Sequence, residues 1–392
     1  MNKGLLALAI GGFGIGMTEF VIMGILPEVA NAMNVNIPQA GHFISAYAIG
    51  VVVGAPLLTV FGSRFPAQKV LFFLMIWFTV FNTISAFSNS YTVLLVTRFL
   101  SGLPHGAFFG IGAVVAGKLA KPGKEAQAIS IMFTGLTIAN VIGVPLGTWL
   151  GQTFNWSASF IAVGVVGVAA FLSIKFWMPN FPAEPSKGMK KDFAILKKTE
   201  LWMVILLTTI GTGGFFAWYS YIAPLITDVA GHSDSVVSYA MILAGLGMVA
   251  GNFLGAKLAE MFSPIHAVVI ALVLMVIALL TNTFLAYDKT GVLVMTFILP
   301  LIAFCIATPI QMAVITSAKG SEMLGSSLNQ SAFNMGNASG AYLAGLPIAA
   351  GYGIVAAQYV GAAMAGTGIL IAIGVILIRK RHQEKLPIPL EA

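Results

Sequence analysis

The chain has 392 residues, of which 58% are hydrophobic and only 8% carry a charge, and its net charge is +7. Soluble domains carry about 25% charged residues, so a soluble fold of this size has too little polar surface to face water. The composition therefore excludes a soluble globular protein and predicts a chain solvated by lipid.

Apolar segments long enough to cross a bilayer recur along the whole chain. A membrane-spanning helix needs roughly 20 predominantly apolar residues, and a window of that length predicts twelve spans. They cover residues 5–27, 40–61, 69–87, 91–117, 125–150, 156–178, 201–226, 236–256, 266–286, 292–314, 324–348 and 354–378. Outer-membrane barrels are excluded, because their strands are about 10 residues long and alternate apolar with polar residues. We therefore predict an all-α polytopic membrane protein with twelve transmembrane helices.

The positive charges lie on one side of the predicted membrane. With the N-terminus inside, nearly all of the 20 Lys and Arg residues fall on the cytoplasmic side, whereas Lys289 falls outside and Arg98 falls within a span. This asymmetry predicts a multi-pass protein of the cytoplasmic (inner) membrane with both termini in the cytoplasm. The basic balance thus reflects topology, and no nucleic-acid partner is expected beside the lipid bilayer.

One long polar interval, MPNFPAEPSKGMKKDFAILKKTE, lies at the midpoint of the chain. It predicts a six-helix half over 1–178, a cytoplasmic linker over 179–200 and a second half with a short basic tail over 201–392. An internal repeat supports this division, because GVVVGAPLLTVFGSRF from Gly50 lies over GMVAGNFLGAKLAEMF from Gly247 without a gap. Parallel repeats of this kind are typical of secondary transporters with a substrate site between the halves.

Several local motifs match one family. MTEFVIMGILPEVA in the first span, RFLSGLPHGAFFG in the fourth and ANVIGVPLGTWLG in the fifth stand within two parallel halves joined by a basic loop. Together they resemble the major facilitator superfamily, and more narrowly its drug:proton antiporter group, which includes the arabinose-inducible and sugar efflux permeases. The resemblance covers essentially the whole chain. It implies a monomeric transporter that exports a drug-like or sugar-like solute, with the proton gradient as its energy source and no cofactor.

The resemblance also implies gating residues. Gly143, Pro145 and Gly147 match the glycine–proline helix that exporters of this family carry. The family's loop between the second and third helices usually has an aspartate before a basic residue, but here Ser63 precedes Arg64. By the repeat offset, the equivalent acid in the second half is Glu260, so we expect cytoplasmic gating to depend more on that residue.

Two charged residues within spans are the candidates for proton coupling. Away from the ends of the predicted spans, Glu19 is the only acidic residue within a span and Arg98 is the only basic one. Their equal depth allows them to pair if the first and fourth helices are neighbours, as they are in the family, and an unpaired charge in the membrane is costly. Beside Arg98 the carboxylate stays charged, whereas alone in an apolar setting it takes up a proton. Helix movement would then link protonation to conformation, although a static ion pair is the alternative.

Other polar and aromatic residues within spans are weaker candidates. His105 shares a helix face with Arg98 and could relay protons, or could be a hydrogen-bonded residue beside the kink at Pro104. The predicted substrate contacts are two rings of the glycine-rich seventh span and four amides: Phe216, Trp218, Asn140, Gln311, Asn334 and Asn337. The rings could instead form an aromatic belt, and the amides could simply bond across helices.

Three other classes of function were weighed. An uncoupled facilitator or importer of a small solute remains open. A channel or a membrane receptor is the alternative of another class. The channel is disfavoured, because a pore would need rings of similar groups rather than one acid–base pair. An enzyme is not expected, since the sequence shows no metal-ligand spacing, nucleophile–base constellation or phosphate-binding glycine loop.

Overall fold

The computed structural model describes residues 2–35, 37–181 and 193–384, and this part of the chain folds into twelve long helices. Predicted linker residues 182–192 lie outside it. The helices are α1 Lys3–Gly24, α2 Ile37–Gly62, α3 Ala67–Ala86, α4 Tyr91–Leu119, α5 Glu125–Thr153, α6 Trp156–Trp177, α7 Thr199–Tyr219, α8 Asp234–Met261, α9 Pro264–Leu285, α10 Lys289–Ser317, α11 Glu322–Pro347 and α12 Ala356–Glu384. Each predicted span overlaps one of them, so the predicted all-helical membrane fold is confirmed.

Eleven of these helices are both long and apolar enough to cross a membrane, and α11 is the exception within the described chain. The reason is its composition, because α11 carries the polar run SSLNQS and later asparagines. Most of this run is buried. The helix therefore turns its polar side toward other helices and away from lipid, where such groups are costly.

The spans differ from prediction where proline interrupts them. The first predicted span runs through Pro27, but α1 ends at Gly24 and a short helix, Leu26–Ala32, follows. The seventh ends early, at Tyr219, because Pro224 precedes a π-helical turn over Leu225–Val229. Proline lacks the N–H that an α-helix interior needs, so it favours these breaks.

The side chains pack into separate cores along the chain. One cluster is built from residues between Leu5 and Met178, and a larger one from residues between Ile195 and Val375 together with Val60. Each cluster combines helices that are close in sequence. Helices α1–α6 therefore bury most of their apolar side chains among themselves, as do α7–α12.

The glycine repeat produces the same close helix contact twice. A Cβ atom on Gly50 would lie 2.2 Å from the carbonyl oxygen of Phe99, so α2 and α4 touch through their backbones. In the second half, a Cβ atom on Gly247 would lie 2.3 Å from the carbonyl oxygen of Phe297, where α8 meets α10. Such contacts tolerate only glycine, as in other close-packed membrane helices. The repeat seen in the sequence thus encodes an equivalent helix pair in each half.

Candidate functional site

An apolar cavity lies between the two halves. Helices α1, α4, α5, α7, α10 and α11 line it. Its aromatic walls are formed by Phe20, Phe133, Phe215, Phe216, Phe304 and Phe333. Its polar groups are few, and they are Glu19, His105, Thr212, Gln330 and Asn334. An apolar cavity with a small number of polar groups is the usual form of a small-molecule site.

Arg98 lies behind the cavity wall and is fully buried. Its guanidinium donates hydrogen bonds to the hydroxyl of Thr18, at 3.0 Å, and to the carbonyl oxygen of Thr18, at 3.3 Å. The Thr18 hydroxyl in turn donates to Asn82 Oδ1 at 2.5 Å. This buried network holds α1, α3 and α4 together at the depth of Glu19. Thr18 and Asn82 are not among the residues predicted from the sequence, although both are polar residues inside apolar spans.

Tyr47 connects Arg98 with His105. The Arg98 guanidinium carbon lies 4.4 Å from the centre of the Tyr47 ring, a favourable cation–π distance. The Tyr47 hydroxyl lies 3.1 Å from His105 Nδ1. His105 lines the cavity, so Tyr47 links the buried cation to the cavity wall. Tyr47 was also missed, and the only sequence signal for it is a tyrosine within the otherwise apolar second span.

The expected direct ion pair between Glu19 and Arg98 is wrong in this conformation. Among the described residues, the ion pairs found do not join these two side chains. Arg98 binds Thr18, and the next residue on α1 points about 100° away because a helix has 3.6 residues per turn. Glu19 therefore faces the cavity while Arg98 stays in the interior of the first half.

The predicted substrate contacts divide into cavity and interior residues. Phe216 and Asn334 line the cavity. Trp218 does not belong to its described lining, because the ring is only 1% exposed and packs against Phe215 and Tyr219. Its predicted place in the cavity is therefore wrong in this conformation.

The remaining amides mainly bind other protein groups. Gln311 is fully buried; its amide donates to Ser326, and its carbonyl accepts from Asn329 at 2.7 Å. Asn140 donates to the Leu136 carbonyl on its own helix at 3.0 Å. Asn337 is half-buried and, like these two, lies outside the described cavity lining. Among the polar residues of the cavity, the prediction missed Thr212 and Gln330, and it also missed most of the apolar lining.

Hydrogen bonds between the described parts of the two halves lie on one side of the cavity. This is the side where α1 begins and where most Lys and Arg residues lie, and we call it the basic face. Asn252 of α8 donates to the carbonyl of Ser130 of α5 at 2.8 Å and to Thr134 Oγ1 at 3.1 Å. The Ser130 hydroxyl donates back to the Asn252 carbonyl at 3.1 Å. Thr59 and Ser327 join α2 to α11 at 2.5 Å. These contacts close the basic face, so any opening of the cavity lies toward the opposite side.

The loop residues predicted to gate also lie at the basic face. Glu260 forms an ion pair with Lys124 across the halves, with 2.7 Å between Oε2 and Nζ. The Ser63 hydroxyl only donates to the Val60 carbonyl on its own helix, at 2.9 Å, and Arg64 is exposed. The cross-half contact therefore involves the second-half acid, while Ser63 makes a local bond.

The glycine–proline segment of α5 packs against α1. Ala139–Gly143 forms a π-helical turn just before Pro145, whose missing N–H disrupts the regular ladder. A Cβ atom on Gly143 would lie 2.9 Å from the Phe13 ring, and one on Gly147 would lie 2.6 Å from Val21. Any movement of this irregular segment would therefore displace α1, the helix that carries Glu19.

We expect Asn252→Ala to weaken closure of the basic face. The substitution leaves buried partners on α5 without their donor, and such a loss costs about 1–3 kcal/mol. The population facing the basic side should then rise by roughly 5- to 150-fold relative to the other conformation. Distances between spin labels in the α4–α5 and α8–α9 connections, which lie at the basic face, would measure the shift. Ser173→Ala is the control, since Ser173 bonds only to the Ala170 carbonyl of α6; equal distributions in both variants would contradict the prediction.

Comparison with known proteins identifies the chain. Residues 8–328 match the family model of the Major Facilitator Superfamily. The chain belongs to this superfamily. It is 41% identical to the inner membrane transport protein YdhP of Escherichia coli (strain K12) over 371 residues, which is 95% of either chain. It is 40% identical to AraJ of the same strain over 351 residues, covering 90% of this chain and 89% of that protein.

Two further comparisons extend the relationship. A chloramphenicol resistance protein of Streptomyces lividans is 28% identical over 344 residues, covering 87% of this chain and 88% of that protein. The crystal structure of the E. coli fucose:proton symporter FucP superposes with a TM-score of 0.77 at 14% identity, covering 96% of this chain and 99% of FucP. Fold and sequence thus agree that this superfamily member is a transporter of small solutes and not an enzyme.

Proposed function

We propose that this superfamily member exports a small organic solute, drug-like or sugar-like, in exchange for protons. The observation that carries the proposal is the position of Glu19. It presents a carboxylate to an otherwise largely apolar cavity, with the Arg98–Tyr47–His105 chain directly behind it. An ionisable group inside the membrane at a substrate cavity is a functional candidate by default.

The exchange follows from competition at this carboxylate. In the conformation described, the cavity is closed at the basic face, so Glu19 can receive a proton only from the opposite side. A proton neutralises the carboxylate and removes its attraction to Arg98, which biases the position of α1 relative to α4. After the halves reorient, the proton leaves to the cytoplasm and solute binds from there. The return movement and release of the solute on the opposite side would complete one cycle. His105 is the candidate relay, because it joins the cavity to Tyr47.

The cavity wall suits a partly aromatic or amphipathic solute. Its rings offer stacking surfaces, and the amides of Gln330 and Asn334 with the hydroxyl of Thr212 offer a few hydrogen bonds. The name of the Streptomyces relative, a chloramphenicol resistance protein, supports drug export, whereas FucP shows that the fold also serves sugars. A monomer is proposed as the transporting unit.

Transport in proteoliposomes tests this function. A thermal-shift screen of sugars and amphipathic drugs first identifies a ligand, because ligands that bind the folded state raise its stability. We expect the radiolabelled ligand to accumulate when a pH gradient is imposed and to leak out when a protonophore collapses it. If transport equilibrates the ligand at the same rate with and without the gradient, the protein is an uncoupled facilitator and the proposal is wrong.

The basic face is proposed to be cytoplasmic, with the protein in the inner membrane. We expect single cysteines at Lys319 and Lys289, in a Cys305→Ala background, to differ in labelling by an impermeant maleimide applied to intact cells. Lys289 should react and Lys319 should not, because positively charged loops stay in the cytoplasm. Permeabilised cells provide the control, in which both positions should react. Labelling of Lys319 in intact cells would reverse the orientation.

A further inference from the structure

Three buried polar side chains of the second half carry hydrogen-bonding atoms that no described residue satisfies. They are the indole N–H of Trp218 on α7 and both amide atoms of Asn282 on α9 and of Gln358 on α12. Trp218 is 1% exposed, and the other two are fully buried. Buried polar atoms are nearly always paired, because an unpaired one loses its bonds to water without replacement. Five such atoms on three neighbouring helices therefore call for a common explanation.

The three side chains lie at one level of the bundle. At Gly361 of α12, a Cβ atom would lie 2.5 Å from the Gly214 carbonyl of α7 and 3.1 Å from Leu279 of α9. Each polar residue is one helical turn from one of these contact residues: Trp218 follows Gly214, Asn282 follows Leu279, and Gln358 precedes Gly361. Because α12 runs opposite to α7 and α9, all three turns lead away from the basic face. The three residues therefore lie at the same level, each on the helix face that carries its contact residue.

The corresponding position in the first half is satisfied by protein atoms. The α1 segment from Ile10 and the α7 segment from Ile210 align without a gap, and that alignment places Thr18 on Trp218. Asn82 and Asn282 each lie near the end of the third helix of their half, and each is followed by a threonine. In the first half Thr18 donates directly to Asn82. In the second half an indole replaces the threonine, and Gln358 adds a further amide.

We propose that Trp218, Asn282 and Gln358 bind one or two ordered water molecules between α7, α9 and α12. Three donor nitrogens and two carbonyl acceptors match the mixed donor and acceptor capacity of water, which typically makes about three hydrogen bonds in such sites. Burial of all three side chains restricts the ligand to this size. The site lies behind the cavity wall, since the Trp218 ring is 5.9 Å from that of Phe215. It is independent of the proposed proton exchange.

Radiolytic hydroxyl-radical labelling of the wild-type protein in detergent tests for the water, because radicals formed from a bound water oxidise the side chain beside it. We expect Trp218 to be oxidised at least several-fold faster, after correction for intrinsic reactivity, than Phe43, which is fully buried in an apolar cluster. The double variant Asn282→Leu/Gln358→Leu should lower the Trp218 rate to that of Phe43.

Thr283→Val is the matched control and should leave the rate unchanged, because Thr283 is next to Asn282 but donates to the Leu280 carbonyl of its own helix at 2.7 Å. A wild-type Trp218 rate equal to that of Phe43 would overturn the proposal, and so would an equally high rate in the double variant. If the double variant does not fold, the comparison within the wild-type protein decides.

Discussion

Glu19→Gln is expected to abolish pH-driven accumulation of solute while leaving the fold and ligand binding intact. The amide has nearly the volume of the carboxyl group and can bond to the same neighbours, but it cannot exchange a proton. Since Glu19 lines the cavity, the change removes a titrating group without disturbing the buried Arg98 network. The variant should therefore behave like a permanently protonated protein.

Two assays on the same proteoliposomes separate coupling from binding. Accumulation under an imposed pH gradient should fall to the level of protein-free liposomes, whereas exchange of labelled for unlabelled solute without a gradient should persist. Glu322→Gln serves as the control, because that glutamate accepts a hydrogen bond from Gly320 in a loop outside the cavity. Gradient-driven accumulation by Glu19→Gln at the wild-type level would show that Glu19 is only structural, and His105 would become the residue to test.

Arg98→Ala is expected to be more damaging than Glu19→Gln. It removes two hydrogen bonds to Thr18 and the cation above the Tyr47 ring, and it leaves polar groups in a fully buried position. Loss of one partner from a buried charged network costs about 3–5 kcal/mol. A clear fall in the thermal unfolding midpoint in detergent should accompany the loss of transport.

A double-mutant cycle measures how far Glu19 and Arg98 depend on each other. The two are not in contact here, so any coupling acts through the electrostatic field of a weakly polar interior. We expect Arg98→Ala to cost less stability in the Glu19→Gln background than in the wild type. The glutamine is neutral, so removing Arg98 leaves no carboxylate without a nearby cation. Additive effects would show that Arg98 acts only on Thr18 and Tyr47.

Tyr47 provides the matched comparison for the Arg98 result. Tyr47→Phe keeps the ring beneath the guanidinium but removes the hydroxyl that reaches His105. Its unfolding midpoint should stay near the wild-type value, whereas Tyr47→Leu should lose the cation–π contribution of about 0.5–2 kcal/mol. Equal midpoints for Phe and Leu at this position would argue against the cation–π contact.

The sequence by itself determined the membrane fold and the depth of the charged residues. Span length is fixed by bilayer thickness, and apolar composition is a local property of the sequence. Each predicted span therefore overlaps a helix of the structure. The repeat that contains Gly50 and Gly247 indicated equivalent close helix contacts in the two halves, because only glycine permits helix backbones to approach so closely. Glu19 stood out for the same local reason, since a carboxylate is rare within an apolar segment.

Only the tertiary structure decided which polar side chains meet. A span that is apolar almost all round gives little signal about which face its neighbours will cover. Two adjacent residues on such a helix point in different directions, so one can face the cavity while the next lies in the interior. Thus Arg98 binds Thr18 rather than Glu19, Trp218 lies in the core while Phe216 faces the cavity, and Asn252 joins the halves. Tyr47 was unremarkable in sequence because its role depends on α2 and α4 packing together. Those pairings are set by contacts between helices distant in sequence, where hydrogen-bond geometry changes with the rotation and register of each helix.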